Sequence, residues 1–472
     1  MIIRIARKET TEIVRDGRFR LAALIVGCLL LASLAAGWKH YSDSATERAA
    51  AERITRAQWL AQGRKNPHSA AHYGVYAFRP QLPLASVDVG VEKYVGAAVW
   101  LEAHKQNDFR YRPAQDATAV QRFSELTAAT VLQQLLPLLI VLLTFGAFAD
   151  ERERGTLRQV LSLGVPRRDL ALGKALGTSF ALSLLLVPAT ILGVIALALS
   201  AGPDAMITSA VRVLLMGASY LVYFGTFVGL SLAVSAAVRS SQLALVLLLA
   251  FWIGNGLVAP RAVADLARRV YPGPSALAFA QAVKQDIDNG VTGHNSADAR
   301  LAVLKAQTLK QYGVKRVEDL PINFDAIALQ EGENYGNKVF DKHYGSLWQT
   351  FERQNTVHQW GALFAPLLAV RTLSMGLSGT DFAQHRDFAR AAESYRRGLI
   401  KTMNEEMLHT EAGNWEDTVG AETWAKVPAF TYRMPSVGWV LTNYSWSIVF
   451  ALGWLVVGVT AAFQATTRLR VD

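Results

Sequence analysis

The stretch Leu176–Ser200, LGTSFALSLLLVPATILGVIALALS, decides the fold class because it is almost entirely apolar and contains no charged residue. A helix of about 20 apolar residues crosses the ~30 Å hydrocarbon core of a bilayer. This stretch therefore predicts a membrane-spanning helix. Similar apolar runs elsewhere extend the prediction to six spans, which lie at 21–38, 128–149, 176–200, 207–234, 243–258 and 436–463.

The composition agrees with a protein that is only partly embedded in a membrane. The chain has 472 residues, of which 51% are hydrophobic and 18% are charged, with a formal net charge of +10. Together with the long apolar runs, these values exclude a soluble globular enzyme and a disordered or fibrous chain. The single cysteine, Cys28, excludes an intrachain disulfide framework. The basic excess requires no nucleic acid partner, because basic residues gather at the cytoplasmic ends of membrane spans.

The distribution of basic residues predicts the orientation of the spans. Clusters of basic residues close to the spans lie before the first span and between the second and third, and others lie at Arg239 and after the sixth span, all on one side of a six-span arrangement. An excess of Lys and Arg marks the cytoplasmic side, so both termini, including the tail at 464–472, are predicted to be cytoplasmic. Residues 1–20 predict a helix lying at the cytoplasmic interface, and a merely basic lead-in is the alternative.

Two long polar segments, 39–127 and 260–435, fall on the opposite side and are predicted to be extracytoplasmic and mainly α-helical. Helical patterns occur at 44–61, 296–312 and 381–409, and their apolar stripes indicate domain core. Residues 360–377 are also apolar, but Pro366 and Arg371 interrupt them. An arginine near the middle of a membrane is costly, so this segment is predicted to be a core or interface-lying helix of an outer domain.

The cytoplasmic loop at 150–175 carries the most informative motif, DERERGTLRQVLSLGVPRRDLALGK, which runs from Asp150 to Lys174. A charged strip and a glycine precede a short amphipathic helix that presents Leu157, Val160 and Leu161. A solvated basic loop is the alternative. The residues predicted to couple the chain to a partner are Glu151, Glu153, Gly155, Thr156, Leu157, Val160, Leu161, Pro166, Arg167 and Lys174.

This loop resembles that of ABC transporter permeases of the type-2 exporter superfamily, in its acidic pair, Gly-Thr-Leu, Pro-Arg step and Gly-Lys. The resemblance implies an inner-membrane homodimer with two copies of a cytoplasmic ATPase, which would bind ATP and Mg. The outer stretches Asn66–Gly74 and Leu320–Asp325 resemble a bacterial subgroup with large inserts. That subgroup includes the permease for copper-site maturation of nitrous oxide reductase.

The sequence predicts neither catalysis nor a cofactor bound by this chain. It has no G-x-x-x-x-G-K-[ST] loop for ATP, and its predicted spans contain almost no ionisable residue, with Arg212 as the exception. That pattern disfavours an ion-coupled carrier. His68 and His72 have a four-residue spacing that metal ligands can use, but Pro67 and Gly74 limit any helix there and no third ligand is identifiable. Ordinary polar contacts are therefore favoured for this pair.

Gly225 and Gly229 predict a close helix contact, either within the chain or with a second copy. The favoured function is a permease subunit that couples a separate ATPase to export, or to force on the outer inserts. The alternative is a membrane-anchored module that docks an extracytoplasmic protein without transporting a solute.

Overall fold

The computed structural model describes residues 1–116, 126–200, 203–290, 297–411 and 416–469. Within these ranges six helices are long and apolar enough to cross a membrane: Gly17–Leu60, Ala128–Glu153, Arg167–Ala198, Ile207–Ala237, Ser241–Val270 and Ser445–Thr467. They confirm the prediction of an α-helical membrane protein with six spans. The parts of the predicted inserts at 117–125, 291–296 and 412–415, and of the tail at 470–472, lie outside the described residues.

The described helices are α1 Ile2–Arg15, α2 Gly17–Leu60, α3 Pro67–Tyr73, α4 Glu92–Val95, α5 Pro113–Asp116, α6 Ala128–Thr130, α7 Leu136–Thr144, α8 Ala149–Glu153, α9 Thr156–Ser162, α10 Arg167–Ser200, α11 Pro203–Ala237, α12 Ser241–Ile253, α13 Ala259–Val270, α14 Ala276–Asn289, α15 Ala297–Tyr312, α16 Phe324–Gly361, α17 Pro366–Ser378, α18 Phe382–Met407, α19 Ala421–Lys426, α20 Val437–Asn443 and α21 Ser445–Thr467. Short 3₁₀ turns occupy Pro83–Ser86 and Val317–Asp319, and π turns occupy Val131–Leu135 and Gly254–Val258. The strands are β1 Val75–Phe78, β2 Ala98–Glu102 and β3 Lys105–Gln106.

The helices that form the spans extend beyond most of the predicted bounds, and the first and sixth spans differ in ways that affect the fold. The first apolar run and the helix predicted at 44–61 form one continuous helix, α2, which extends from the first span to Leu60. The sixth span begins at Ser445 rather than at 436, because Tyr444 leaves the helical conformation between α20 and α21. The Tyr444 side chain is buried, and its ring lies against Gly376 of α17. This packing explains the break in the helix.

The fourth and sixth spans pack closely through glycine. A Cβ atom added at Gly229 would lie 2.6 Å from the carbonyl carbon of Gly458, and one at Gly225 would lie 2.9 Å from Cδ1 of Leu455. Small residues allow membrane helices to approach in this way. Both glycines therefore face a helix of the same chain.

The segment α17 is a core helix that packs against the spans. Its buried residue Leu373 lies in the same apolar cluster as Tyr220 and Phe224 of the fourth span. The Ser374 hydroxyl lies 2.9 Å from the Tyr220 hydroxyl, and Arg371 donates to Gln133 of the second span at 3.3 Å. The Ser374 hydroxyl also donates to the carboxylate of Asp88, so α17 packs between the ends of the spans and the first insert.

The two inserts form one joint core on the side that we call the insert side. β1, β2 and β3 make an antiparallel sheet in which Tyr76 faces Trp100 across β1 and β2. The sheet shares an apolar cluster with α18, in which Phe388 and Met403 are buried. At the end of α2, the Trp59 indole donates to the carbonyl of Trp424 at 2.8 Å. The first span is therefore joined by one helix to the core of both inserts.

Candidate functional site

The loop after the second span has a short helix bounded by two left-handed glycines. Gly155 adopts φ 74° immediately before α9, and Gly164 adopts φ 78° shortly after it. An ideal Cβ at either position would meet open space, so the left-handed backbone is what requires glycine there. Thr156 is exposed and its hydroxyl donates to the carbonyl of Glu151 at 3.2 Å. The two glycines define the position of α9 at the end of the spans.

Three consecutive charged residues of this loop each contact a different span. Glu151 Oε1 lies 2.9 Å from Nζ of Lys174 in the third span. Arg152 donates to the carbonyl of Val238 and, at 2.8 Å, to that of Ala236, at the end of the fourth span. A cation is favourable at a helix C-terminus, where the carbonyl groups lack partners. The end of the second span is therefore fastened to the third and fourth spans.

Glu153 completes this arrangement at the fifth span. Its carboxylate accepts from the backbone N–H of Ser241 at 2.8 Å and from the Ser241 hydroxyl at 3.1 Å. A carboxylate is stabilising at a helix N-terminus, where backbone N–H groups are unpaired. We call Glu151, Arg152 and Glu153 the charged clamp.

Lys174 is the buried centre of the loop side, which we define as the end of the spans that carries α9. Its side chain is 2% exposed, and its ammonium contacts Glu9 at 2.8 Å as well as Glu151. A buried cation is stable only when it is paired. Because Glu9 lies on α1, this ion pair also fastens the N-terminal helix to the third span. Thr10 adds a hydrogen bond from its hydroxyl to the carbonyl of Gly177 at 3.0 Å.

A second lysine reaches the same carboxylates from the surface. Lys8 lies 3.4 Å from both Glu9 and Glu151. Partial burial lowers the pKa of Lys8, but the hydrogen bond with Glu12 and the charges of Glu9 and Glu151 raise its pKa overall. The ammonium of Lys8 is therefore charged at neutral pH and contacts the same two carboxylates as Lys174.

The apolar face of α9 points into the chain, contrary to the prediction that it faces a partner. Leu157 is 1% exposed and lies in the same cluster as Phe148 and Leu170, and Val160 and Leu161 pack against that cluster. At the end of a membrane bundle, the apolar stripe of a short helix is buried against the neighbouring spans. Leu157 therefore stabilises the position of α9 and is not available to a partner.

The outward surface of the loop consists of other residues. Leu163 is 81% exposed at the tip, and Arg158, Gln159 and Ser162 are exposed beside it. Pro166 and Arg167 are also exposed, and Arg167 donates to the carbonyl of Leu469 at 3.5 Å. We call the set Arg158, Gln159, Ser162 and Leu163 the loop tip.

Several residues of this site were not singled out by the sequence analysis. Lys8, Glu9 and Ser241 are distant in sequence from the loop, and a single sequence gives no sign of the contact. Arg152 lay inside the motif, but its charge alone did not show that it binds helix carbonyls. A lone lysine among apolar residues, as at Lys174, is the signal that could have prompted a search for a buried carboxylate partner.

The histidine pair of the first insert lies elsewhere, on the insert side. Pro67 occupies the first turn of α3, where a missing N–H costs nothing, and Gly74 ends the helix after seven residues, so the helix is short, as predicted. The Nε2 atoms of His68 and His72 are 3.1 Å apart, and His104 Nε2 lies 3.4 Å from that of His68. Burial, and then the charges of His104 and His72, lowers the pKa of His68 to about 4.

Comparison with known families gives two matches. Residues 95–255, which include the charged clamp and α9, match the family described as ABC-2 family transporter protein. The matched residues are similar to an ABC-2 membrane domain. Together with the six apolar helices, this match supports an ABC transporter permease that crosses the membrane several times. The permease also matches, over residues 276–433, the family described as Domain of unknown function (DUF3526). Comparison with curated proteins gives no match.

These matches confirm part of the sequence interpretation. The ABC-2 match agrees with the resemblance seen in the loop and implies partnership with a cytoplasmic ABC ATPase. The large-insert subgroup stays a prediction. In the permease, the second match covers most of the second insert, from the start of α14 to the segment before α20.

Proposed function

We propose that this permease couples a separate cytoplasmic ATPase to movement of its spans, with the loop side facing the cytoplasm. The observation that supports this most directly is the charged clamp, whose three side chains contact three different spans. In this proposal two ATPase copies serve a homodimer in the bacterial inner membrane. The ATPase, not the permease, holds ATP and Mg.

The clamp explains how a force on a small surface reaches most of the bundle. Leu157 anchors α9 in the apolar core, and the clamp fastens the end of the second span to its neighbours. When the ATPase pushes on the loop tip, α9 cannot move without the second span. Ion pairs and buried contacts transmit the displacement to the third, fourth and fifth spans as one block, because packed interiors are not freely deformable.

One observation favours force transmission to the inserts as an output, besides export of a substrate. α2 runs without interruption from Gly17 to Leu60, and Trp59 at its far end is fully buried against Trp424. A tilt of the first span therefore displaces the core of both inserts. The inserts would then act on an extracytoplasmic protein bound to them, which is the second candidate function.

The coupling proposal is tested at the loop tip by Leu163→Asp. We expect this substitution to weaken ATPase binding about tenfold or more, because an apolar anchor at an interface contributes more than ~1 kcal/mol. It should leave the fold intact, since Leu163 is 81% exposed. The measurements are the dissociation constant of the ATPase from permease in lipid nanodiscs and the ATP hydrolysis rate of the complex.

Leu301→Asp is the matched control, because Leu301 is an exposed leucine of α15 in the second insert. It should leave ATPase binding unchanged. Equal binding by Leu163→Asp and wild-type permease would remove the loop tip from the interface. ATP hydrolysis by the purified permease without any ATPase would overturn the whole proposal.

Export and force transmission are separated by a second experiment on the complete complex. Sealed vesicles containing permease and ATPase are tested for ATP-dependent movement of solute, and the same complex is tested for ATP-dependent change in protease cleavage of the inserts. Solute movement supports export. A change in insert cleavage without solute movement supports force transmission.

A further inference from the structure

Three histidine side chains from two segments of the first insert converge on one point. His68 and His72 lie one turn apart on α3, and His104 lies in the turn between β2 and β3. One ring nitrogen from each lies within 4.8 Å of the other two. The Nε2 distances from His68 are 3.1 Å to His72 and 3.4 Å to His104. This site plays no part in the coupling proposal.

These distances fit a shared metal ion better than hydrogen bonds among the rings. Zn–N bonds are about 2.0–2.1 Å, so tetrahedral ligands place their nitrogens about 3.3 Å apart. The two observed distances bracket that value. In neutral imidazoles each Nε2 either donates or accepts one hydrogen bond, so hydrogen bonds among the rings cannot account for both short contacts of His68 Nε2 at once. A cation accepts all three lone pairs.

The surroundings of His104 prepare it as a ligand. Its Nδ1 lies 2.8 Å from Oε1 of Glu333, and its backbone N–H donates to the same oxygen at 2.5 Å. Glu333 is buried and its other oxygen accepts from Arg396 at 3.1 Å. Donation from Nδ1–H to a carboxylate leaves the Nε2 lone pair free for a metal, and metal-binding histidines commonly have such a partner.

The backbone at His104 supports the same interpretation. His104 adopts φ 65°, one of two non-glycine residues with positive φ in the described chain. A side chain in this left-handed region costs about 1–2 kcal/mol, and glycine would avoid that cost. Strained backbone is typical of functional sites, where the surrounding structure holds it. Here the strained turn places an imidazole beside His68.

We propose that His68, His72 and His104 bind a divalent transition-metal ion of the kind that imidazole prefers, such as Zn²⁺. His68 is buried beneath the other two, which are exposed. Three protein ligands leave a fourth coordination position for water, the ligand count that zinc sites with an open position have. The ligands come from the first insert, whereas Glu333 and Arg396 belong to α16 and α18 of the second, so the ion would also link the two inserts.

The test is calorimetric titration of full-length permease in detergent with Zn²⁺, using a purification tag without histidine. Wild-type permease should bind one Zn²⁺ per chain at this site. His72→Ala and His104→Asn should each lower the affinity about 100-fold or more, because loss of a ligand should exceed the 10–100-fold effect of losing its hydrogen-bond partner. Asparagine is chosen at position 104 because it accepts a left-handed backbone.

Glu333→Gln tests the positioning role of the carboxylate and should lower the affinity about 10–100-fold. His40→Ala is the control, because His40 is a histidine of α2 outside the cluster, and it should bind Zn²⁺ as wild type does. Far-UV circular dichroism and thermal melts establish that each variant is folded. Co²⁺ substitution should give the visible absorption of a tetrahedral site in wild type and not in His72→Ala. Absence of Zn²⁺ binding by wild type, or wild-type affinity in His72→Ala and His104→Asn, would overturn the proposal.

Discussion

Replacing Lys174 by methionine should destabilise the loop side by about 3 kcal/mol and reduce the ATP hydrolysis of the complex. Methionine keeps the apolar stem but removes the cation shared by Glu9 and Glu151, whose side chains are 12% and 18% exposed. Removing one partner from a buried ion pair costs about 3–5 kcal/mol. The lower value is expected because Lys8 stays within 3.4 Å of both carboxylates. Thermal unfolding in detergent measures the first effect, and ATPase assays of the reconstituted complex measure the second.

Lys8→Met is the matched control for this prediction. It removes a lysine that contacts the same two carboxylates, but the Lys8 side chain is 52% exposed. Exposed ion pairs contribute about 1 kcal/mol or less, so Lys8→Met should unfold near the wild-type temperature. If the two variants were equally stable, burial of Lys174 would not be what holds α1, the loop and the third span together.

The spans could be predicted from sequence because their signal is local and long. An uninterrupted apolar run such as Leu176–Ser200 is long enough to cross the bilayer, and a helix satisfies its backbone hydrogen bonds there, so a membrane-spanning helix is the only structure expected. A shorter apolar segment can be buried in more than one kind of environment. The run at 360–377 could lie at an interface or in a core, and only its contacts with Tyr220 and Gln133 show that it packs among the spans.

The main error at the candidate site was the predicted direction of the apolar face of α9. The spacing of Leu157, Val160 and Leu161 predicts an apolar face, but it does not say whether that face contacts a partner or the chain itself. In the structure Leu157 is buried beside Phe148. A Leu157→Asp variant would therefore disturb the permease itself, and it cannot report on ATPase contact as Leu163→Asp can.

The third histidine could not be found from spacing alone. His68 and His72 are four residues apart, a distance that helix geometry can interpret. His104 joins them only because β2 pairs with β1 and the turn after β2 then reaches α3, with Ala103 N–H donating to the carbonyl of Ala71 at 3.1 Å. Such pairing depends on tertiary structure, which the sequence pattern did not determine.

Substituting leucine at Gly229 should have the largest effect on the span bundle, about 3 kcal/mol or more. An added Cβ would lie 2.6 Å from the carbonyl carbon and 2.8 Å from the oxygen of Gly458, so the clash is with backbone. The backbone of one helix can yield only by separating from the other. Overpacking of a tight contact commonly costs about 1–3 kcal/mol even where side chains can adjust. Thermal unfolding of the purified permease in detergent is the measurement.

A graded series distinguishes this steric cause from a general effect of removing glycine. At Gly225 the nearest atom is Cδ1 of Leu455, at 2.9 Å, and the end of that side chain can rotate away, so Gly225→Leu should cost about 1 kcal/mol. Gly217 lies on the same helix as Gly229 with open space around its Cβ position. Gly217→Leu should be neutral or slightly stabilising, because leucine has the higher helix propensity. Equal loss of stability at Gly217 and Gly229 would mean that the outward face of the fourth span is packed too, as it would be against a second copy of the permease.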